Sequence, residues 1–434
     1  MKFSQDIDRL TSDAIRDIQG ELLVRTVNTV FEKSPYYRRV FDGCDLAPSD
    51  IRGLDDLEKI PFTDRADLQK ENWAFLSVHK DDIAEVVSTT GTTGEPVFMA
   101  LTGNDLIRLA YNEEKSFGYA GVGKGDFFHI AVTCDSLFVA GIAYYSGLRR
   151  LGASVARIGP QNIKRHLRLI QELKPNGIVA VPSFMVQMMR RAYEHGLDVR
   201  ELGIEKAVLI GESIRNADFS SGSLGSLIEN SFGNICYSTY GITEGQVSFC
   251  ECHERRGLHS HPDLVAIEIV DDNDKQLPDS ETGELVVTVF QVEGMPLIRY
   301  RTGDITFRVS GRCPCGRNSI RIGPVLGRKH HRLKVKGVTL YPRTIENAVF
   351  EIKDVLNYQI EAYTGDDYTD HIIVRVGAHG NNKELRSLLA DNLRAKAMVT
   401  PEIEIESPEE VRKRLFEGGS RKANTFKDRR NRTV

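Results

Sequence analysis

Two groups of residues have types and spacings suited to chemistry. The first is the run Ser88-Thr89-Thr90-Gly91-Thr92-Thr93-Gly94-Glu95-Pro96. Glycines let a backbone approach a ligand closely, and hydroxyls beside backbone N–H groups cradle phosphate oxygens. The run lacks the Gly-Lys-Ser/Thr of a Walker loop, and its composition equally suits a flexible hairpin loop. The second group is built on cysteine: Cys250, Cys252 and His259 in one cluster, Cys313 and Cys315 in another. Thiolates with an imidazole at such spacing suit a tetrahedral Zn²⁺ site, and Gly316 after Cys313-Pro314-Cys315 permits a knuckle-like turn. Cys252, His259, Cys313 and Cys315 are the expected ligands, with Cys250, His253 and His261 as substitutes. Seven cysteines, an odd count, argue against a disulfide framework.

The elements that must position these residues are legible as patterns. Residues 1 to 85 read as helices and loops. The Gly/Thr run lies between two short β-rich segments. From Asp126 to Ser213 apolar runs (FFHIAVT, ASVARIG, GIVAVPS, KAVLIGES) alternate with amphipathic stretches such as NIKRHLRLIQELK. That alternation predicts a mostly parallel α/β sheet. From Ala266 to Phe307 the texture becomes antiparallel β. Beyond Gly327 a hairpin, a helix from Pro342, two strands, a helix with Leu385, Leu388, Leu389 and Leu393 on one face, and the strand EIEIES predict a small α+β domain. A basic tail runs from Arg412 to Arg430. The expected class is α/β: a large N-terminal α/β domain with mixed sheets plus a β region (1–327), and a small mobile α+β domain (328–434).

Composition excludes several classes. Hydrophobic residues make up 41% and charged residues 27% of 434 residues, and the net charge is −4. This is ordinary globular usage, not that of a disordered chain or fibre. Near-zero charge argues against nucleic-acid binding. The longest apolar stretch, 177–186, is broken by Pro182 and falls short of the ~20 residues of a spanning helix. The N-terminal MKFSQDIDRLTSD mixes acids and bases, unlike a secretory signal. A cytoplasmic protein without membrane partner is expected.

Taken in order, the motifs resemble those of the adenylate-forming superfamily of acyl-CoA synthetases, adenylation domains and luciferases. The Gly/Thr run is similar to its phosphate loop. Tyr240-Gly241-Ile242-Thr243-Glu244 resembles its aromatic-Gly-x-Thr-Glu motif, and Tyr300-Arg301-Thr302-Gly303-Asp304 its ribose motif. Gly327-Arg328 with Lys334-Val335-Lys336-Gly337 resembles its hinge and hairpin, and Lys422 in SRKANTFKDRR its C-terminal lysine. GELVVTVFQVEGMPLIRYRTGDIT and CPCGRNSIRIGPVLGR are most similar to the phenylacetate–CoA ligase branch.

The resemblance implies a two-step reaction. A carboxylate attacks the α-phosphorus of ATP, giving an acyl-adenylate, and coenzyme A then displaces AMP. Ser88, Thr89, Thr90, Gly91, Thr92, Thr93 and Gly94 would bind phosphates, Thr243 the α-phosphate, Glu244 Mg²⁺, and Asp304 the ribose hydroxyls. Tyr240 and Gly241 would flank the nucleotide, Glu212 and Ser213 would meet adenine, and Arg328 would lie near ribose or phosphate. Lys422, singled out from a solvated basic tail by its spacing to Asp428 and Arg430, would neutralise charge at the α-phosphate. Phe138, Tyr144, Tyr145, Phe184 and Tyr237 would line the pocket of an aryl or arylacetic acid, although the same rings suit a core. The cysteine-bound zinc lies outside these motifs and would be a structural staple. A homodimer is usual for the family.

Three departures stand out. Val97 and Glu95 occupy positions near Pro96 where lysine is common, and Lys329, His330 and His331 replace an acidic hinge pair. An imidazole pair titrates near neutrality, so domain alternation would respond to pH unless the substitution is drift in an exposed hinge. Two other readings compete with acid–CoA ligation: an adenylate-forming enzyme with another acceptor (an amine, a carrier protein, or a deazaflavin as in coenzyme F390 synthetases), and a zinc-stapled binding protein with a decayed nucleotide site.

Overall fold

The computed structural model describes residues 7–89, 96–159, 161–335, 338–365, 370–379, 383–417 and 423–430. Two compact units divide the chain. The first comprises Met1–Ser221, Gly225–Thr302 and Thr306–Pro324; the second comprises Gly222–Leu224, Gly303–Ile305 and Val325–Val434.

In the first unit, helices α1 (Ser12–Lys33), α2 (Pro35–Gly43) and α3 (Arg65–Glu71) come first. Thr11 caps α1 by accepting the Ala14 N–H, and Asp64 and Asp67 form a reciprocal capping box at α3, satisfying N–H groups that a helix start leaves open. Strands β1 (Ile83–Ser88) and β2 (Phe98–Thr102) pair antiparallel across the Gly/Thr loop. Helix α4 (Gly103–Tyr119) follows, capped by Thr102 and Asp105.

The alternating region folds as the pattern predicts. Strands β3 (Phe127–Ile130), β4 (Ser154–Arg157), β5 (Gly177–Ala180), β6 (Lys206–Leu209) and β7 (Cys236–Ile242) are parallel, with α5 (Val139–Arg150), α6 (Ile163–Leu173), α7 (Pro182–Glu194) and α8 (Ser223–Phe232) between them. The buried faces of β5 and β6 read as continuous apolar runs because helices cover such a sheet. At β7 the sheet changes character: β8 (Val247–Glu251) and β9 (Leu258–His259) pair antiparallel, as do β10 (Val265–Val270) and β11 (Thr282–Val289). With β12 (Tyr300–Val309), β13 (Arg321–Ile322) and β14 (Gly327–Arg328) the sheet has twelve strands, in the order β10-β11-β12-β13-β9-β8-β7-β6-β5-β3-β4, with β14 beside β12.

Three buried polar anchors fix the loops. The guanidinium of Arg108 is fully buried and donates to the carbonyls of Gln246, Leu264 and Phe290 at 2.7–2.8 Å, holding the turn after Glu244. Asp8 is buried, pairs with Arg317 at 2.9 Å, and its carbonyl accepts the Asn318 N–H at 2.7 Å. Glu113 on α4 is sealed by α5: a Cβ on Gly147 would stand 2.3 Å from Glu113 Cβ, so only glycine permits this approach.

The second unit has its own apolar core around Ile345, Val349, Ile360, Val374, Leu389 and Leu393. Strands β15 (Leu333–Val335) and β16 (Val338–Leu340) pair, followed by α9 (Pro342–Phe350), β17 (Asn357–Thr364), β18 (Asp370–Gly377), α10 (Lys383–Ala397), β19 (Glu402–Glu406), α11 (Pro408–Leu415) and β20 (Phe426–Asp428). The four-stranded sheet runs β19-β18-β17-β20. Two sequence readings need correcting. Leu388 is 53% exposed and does not share the buried face of Leu385, Leu389 and Leu393. The basic "tail" is folded over much of its length: Ser407 and Glu410 cap α11, Val411 and Leu415 are buried, and β20 adds parallel to β17. Charged residues dominate that segment by number, but its few apolar residues have the spacing that binds it to the core.

Candidate active site and cysteine cluster

The sequence-predicted nucleotide residues of the first unit gather where the parallel strands end, the edge at which open α/β sheets bind ligands. Ser88 closes β1, and its N–H donates to the Leu137 carbonyl at 2.9 Å. Thr89 is buried; its N–H donates to Val97 O, and its Oγ1 accepts the Val97 N–H at 3.3 Å. Thr90, Gly91, Thr92, Thr93 and Gly94 lie outside the described residues, as do Glu95, Lys336, Gly337 and Lys422. Tyr240 and Gly241 belong to β7, Gly241 opposite Ser248. Thr243 and Glu244 follow in a turn closed by Gln246 N–H to Thr243 O at 3.1 Å.

Glu244 is nearly buried and engaged. Its Oε1 accepts from Arg65 Nη1 at 3.0 Å and from the Tyr300 hydroxyl at 3.2 Å. The other arm of the same guanidinium, Arg65 Nη2, donates to Thr89 Oγ1 at 3.0 Å. Arg65 thus joins Thr89, at the start of the Gly/Thr run, to the Glu244 carboxylate. Sequence reading missed it: it lies in an α3 segment without ligand motif, and its partners are 24 and 179 residues away.

Glu212 accepts both the Ser183 N–H and hydroxyl at 2.8 Å, placing its charge at the start of α7. The Ser213 hydroxyl donates to Arg215 O. The five proposed acid-binding rings do not share one environment. Tyr144 is core, 3% exposed, and edge-on to Phe117 at 5.7 Å. Phe138, Tyr145 and Tyr237 are partly buried against the same apolar cluster; Arg157 lies over Tyr145 and Arg255 over Tyr237, each at 4.7 Å. Phe184 packs edge-on to His166 at 4.9 Å.

Within the second unit Asp304 lies opposite Arg328 in the β12–β14 pair, and Arg328 Nε stands 3.2 Å from its carboxylate. The two histidines expected at the hinge also pack: His330 and His331 are 4.3 Å apart, and His331 meets Phe426 at 4.8 Å. Burial, then the neighbouring His330, lowers His331 to about 3. It is therefore neutral at physiological pH, and titration of this ring near neutrality does not occur.

The four residues expected as zinc ligands come together. The donor atoms of Cys252, His259, Cys313 and Cys315 lie within 4.8 Å of one another. Cys252 Sγ and Cys313 Sγ are 3.7 Å apart, and Cys315 Sγ is 3.5 Å from His259 Nε2. A tetrahedron with Zn–S near 2.3 Å and Zn–N near 2.05 Å has S–S and S–N edges of about 3.8 and 3.6 Å. The other ring nitrogen, His259 Nδ1, meets Ser319 Oγ at 2.9 Å, the outer contact that orients a metal-binding imidazole. Burial raises Cys252 to about 12. Burial also opposes ionisation of Cys315, but its bonds to His259 and Arg317 prevail and bring it to about 5. The three substitutes stand elsewhere: Cys250 packs in the apolar cluster of Tyr144, His253 is exposed beside Glu254, and His261 bonds Ser116 and Tyr119.

The chain has counterparts among known proteins. The family described as AMP-binding enzyme matches residues 43–292. The chain belongs to the AMP-binding enzymes. The family described as AMP-binding enzyme C-terminal domain matches residues 337–430. A phenylacetate-coenzyme A ligase of Thermus thermophilus is 34% identical over 83% of this chain and 81% of its own length. The Escherichia coli K12 phenylacetate-coenzyme A ligase is 30% identical over 82% and 80%. Among solved structures, a 2-hydroxyisobutyryl-CoA ligase in the postadenylation state shares the fold at TM-score 0.85, with 21% identity over 98% of this chain and 92% of that one. This AMP-binding enzyme is an AMP-forming acid–CoA ligase, which adenylates a carboxylate with ATP and transfers the acyl group to coenzyme A. Among its described residues no helix is long and apolar enough to cross a membrane.

Proposed function

We propose that the acid is an aryl or arylacetic acid. The observation that carries this reading is the placement of Tyr145, Tyr237 and Phe138, partly buried and aromatic, around strands β3 and β7, together with the phenylacetate specificity named for the relatives at 29–34% identity. Rings with two torsions grip a planar substrate at low entropic cost.

In this reading Ser88, Thr89 and the loop through Gly94 hold the outer phosphates, and Thr243 holds the α-phosphate. Glu244 is the protein ligand of Mg²⁺, which characteristically takes one or two carboxylates and completes its shell with phosphate oxygens and water; the nearly buried Glu244 carboxylate beside Thr89 suits that donor set. When bound, the ion withdraws charge from the phosphates. Asp304 accepts the ribose hydroxyls, with Arg328 beside it, and Glu212, Ser213, Tyr240 and Gly241 flank the base. Lys422 neutralises the negative charge that develops on the attacking carboxylate and the α-phosphate. Cys252, His259, Cys313 and Cys315 hold a structural zinc. The protein acts in the cytoplasm, as a homodimer, without nucleic-acid or membrane partner.

A panel of aliphatic, benzoic and arylacetic acids, read by pyrophosphate release, tests the assignment. Arylacetic or benzoic acids are expected to be turned over at least tenfold better than short aliphatic acids of equal charge, in line with the burial of a ring. Preference for short aliphatic acids sinks the aryl reading. Lys422→Ala is expected to slow adenylation by two or more orders of magnitude; intact adenylation removes Lys422 from the mechanism.

A further inference from the structure

We propose that Arg65 is a phosphate-binding residue: it guards Glu244 in the empty site and passes to the outer phosphates when Mg²⁺ and ATP arrive. The inference rests on the nucleotide-site reading above and extends it to a residue outside every motif.

Position comes first. The guanidinium of Arg65 lies between Thr89, at the mouth of the Gly/Thr loop, and Glu244, with 3.0 Å bonds to each. It retains 28% of its side-chain exposure, so a ligand entering beside Thr89 can reach it. Its backbone is anchored. The Asp64–Asp67 capping box sets the start of α3. Thr63 bonds strand β12 on both sides, its N–H to Arg299 O at 3.1 Å and its carbonyl to Arg301 N–H at 2.8 Å. Tyr300, between those two residues, bonds the same Glu244 oxygen as Arg65. Arg65, Tyr300 and Glu244 are therefore held by one rigid junction.

Charge comes second. A loop that binds three anionic phosphates needs a cation, and neither Glu95 nor Val97 supplies one. Val97 is fully buried, with its N–H on Thr89 Oγ1, so position 97 has no route to a ligand. Arg65 brings a permanent positive charge to the same place from another element. A planar guanidinium suits two phosphate oxygens at once.

The two observations fit one exchange. Without ligand, Arg65 neutralises Glu244, which would otherwise be a nearly buried carboxylate with only a hydroxyl partner on that oxygen. With Mg²⁺·ATP bound, Glu244 would hold the metal ion, and the Arg65 guanidinium, released from it, would turn to the phosphates beside Thr89. The Glu244 carboxylate and the Arg65 guanidinium each keep a partner of opposite charge in both states.

The experiment compares equilibrium binding of Mg²⁺·ATP and of AMP to the full chain as wild type, Arg65→Met and Arg65→Lys, with melting temperatures recorded for each. Arg65→Met is expected to weaken ATP about tenfold or more while AMP, which lacks the outer phosphates, changes less than about twofold. Arg65→Lys, which loses the fork but still meets phosphate as a point charge, is expected to recover most of the ATP binding, to within about threefold of wild type. Equal ATP affinity in wild type and Arg65→Met overturns the proposal, as does parallel loss of ATP and AMP, the mark of a purely structural strut. If Arg65→Met does not fold, Arg65→Lys decides: a strut that needs the two-armed fork loses both nucleotides, whereas a phosphate cation keeps them. A wild type that binds neither nucleotide instead refutes the nucleotide-site reading itself.

Discussion

Cys252 Sγ and Cys313 Sγ stand 3.7 Å apart, in contact but far from the ~2.05 Å of a disulfide, and at the separation of two thiolates sharing one tetrahedral zinc. The purified protein is expected to contain one zinc per chain by elemental analysis. Stripping it with a strong chelator is expected to lower the melting temperature by about 5 °C or more, since metal affinity for the folded site becomes folding free energy. Cys313→Ser is expected to lose the zinc, and Cys250→Ser to keep it. Zinc retained in Cys313→Ser would remove the cluster as its site.

Glu113 gives a pH dependence. Burial raises its carboxyl to about 7, against which bonds from Ser248 and Asn112 act only in part. With the folded value above the unfolded 4.5, the folded state keeps a proton that the unfolded state releases. Its contribution is therefore fully present below about pH 4.5, declines as pH rises to about 7, and is level above. The slope is at most about 1.4 kcal/mol per pH unit. Glu113→Gln preserves the shape and removes the proton, so its melting temperature, relative to wild type, is expected to rise between pH 5 and 7.5. Parallel curves for the two proteins would refute this.

The alternating half of the sheet was legible because helix-covered parallel strands need continuous apolar runs, and FFHIAVT and KAVLIGES have them. That Cys252, His259, Cys313 and Cys315 come together was legible from spacing. Cys250 and Cys252 were harder to separate, since residues two apart share a strand face; the choice turns on β8 ending at Glu251, one residue before Cys252. Two things were not legible. Arg65 meets Thr89 and Glu244 only through tertiary approach, and no local period reports that. Aromatic type alone also could not tell Tyr144, sealed against Phe117, from Tyr145 and Tyr237 at the edge of the same cluster.

That distinction is testable. Tyr144→Ala is expected to cost about 3–5 kcal/mol in denaturant unfolding, as for other large core truncations. Tyr237→Ala is expected to cost less than half as much and to change KM for the acid instead. A stable Tyr144→Ala protein with altered acid preference would return Tyr144 to the pocket wall.

Asp304→Asn is expected to raise KM for ATP by about tenfold, the loss of charge-assisted bonds to ribose hydroxyls, with little change in KM for the acid. Because Arg328 pairs with the native carboxylate, the substitution also releases that guanidinium. Arg328→Gln, measured alone and combined with Asp304→Asn, separates the two effects. An unchanged KM for ATP in Asp304→Asn would take the residue out of the nucleotide site.

The bond from Asp8 to Arg317 spans 309 positions. A nascent chain leaves the ribosome in order, so Lys115, 3.6 Å from one Asp8 carboxylate oxygen, is made long before Arg317, which follows the strands through β12 and meets the other oxygen. Until then the Asp8 segment has Lys115 within reach but lacks the Arg317 bond, so this one long-range contact is completed late. Cys313 and Cys315 emerge in the same interval, so the cluster with Cys252 and His259 and the Asp8–Arg317 bond are completed together.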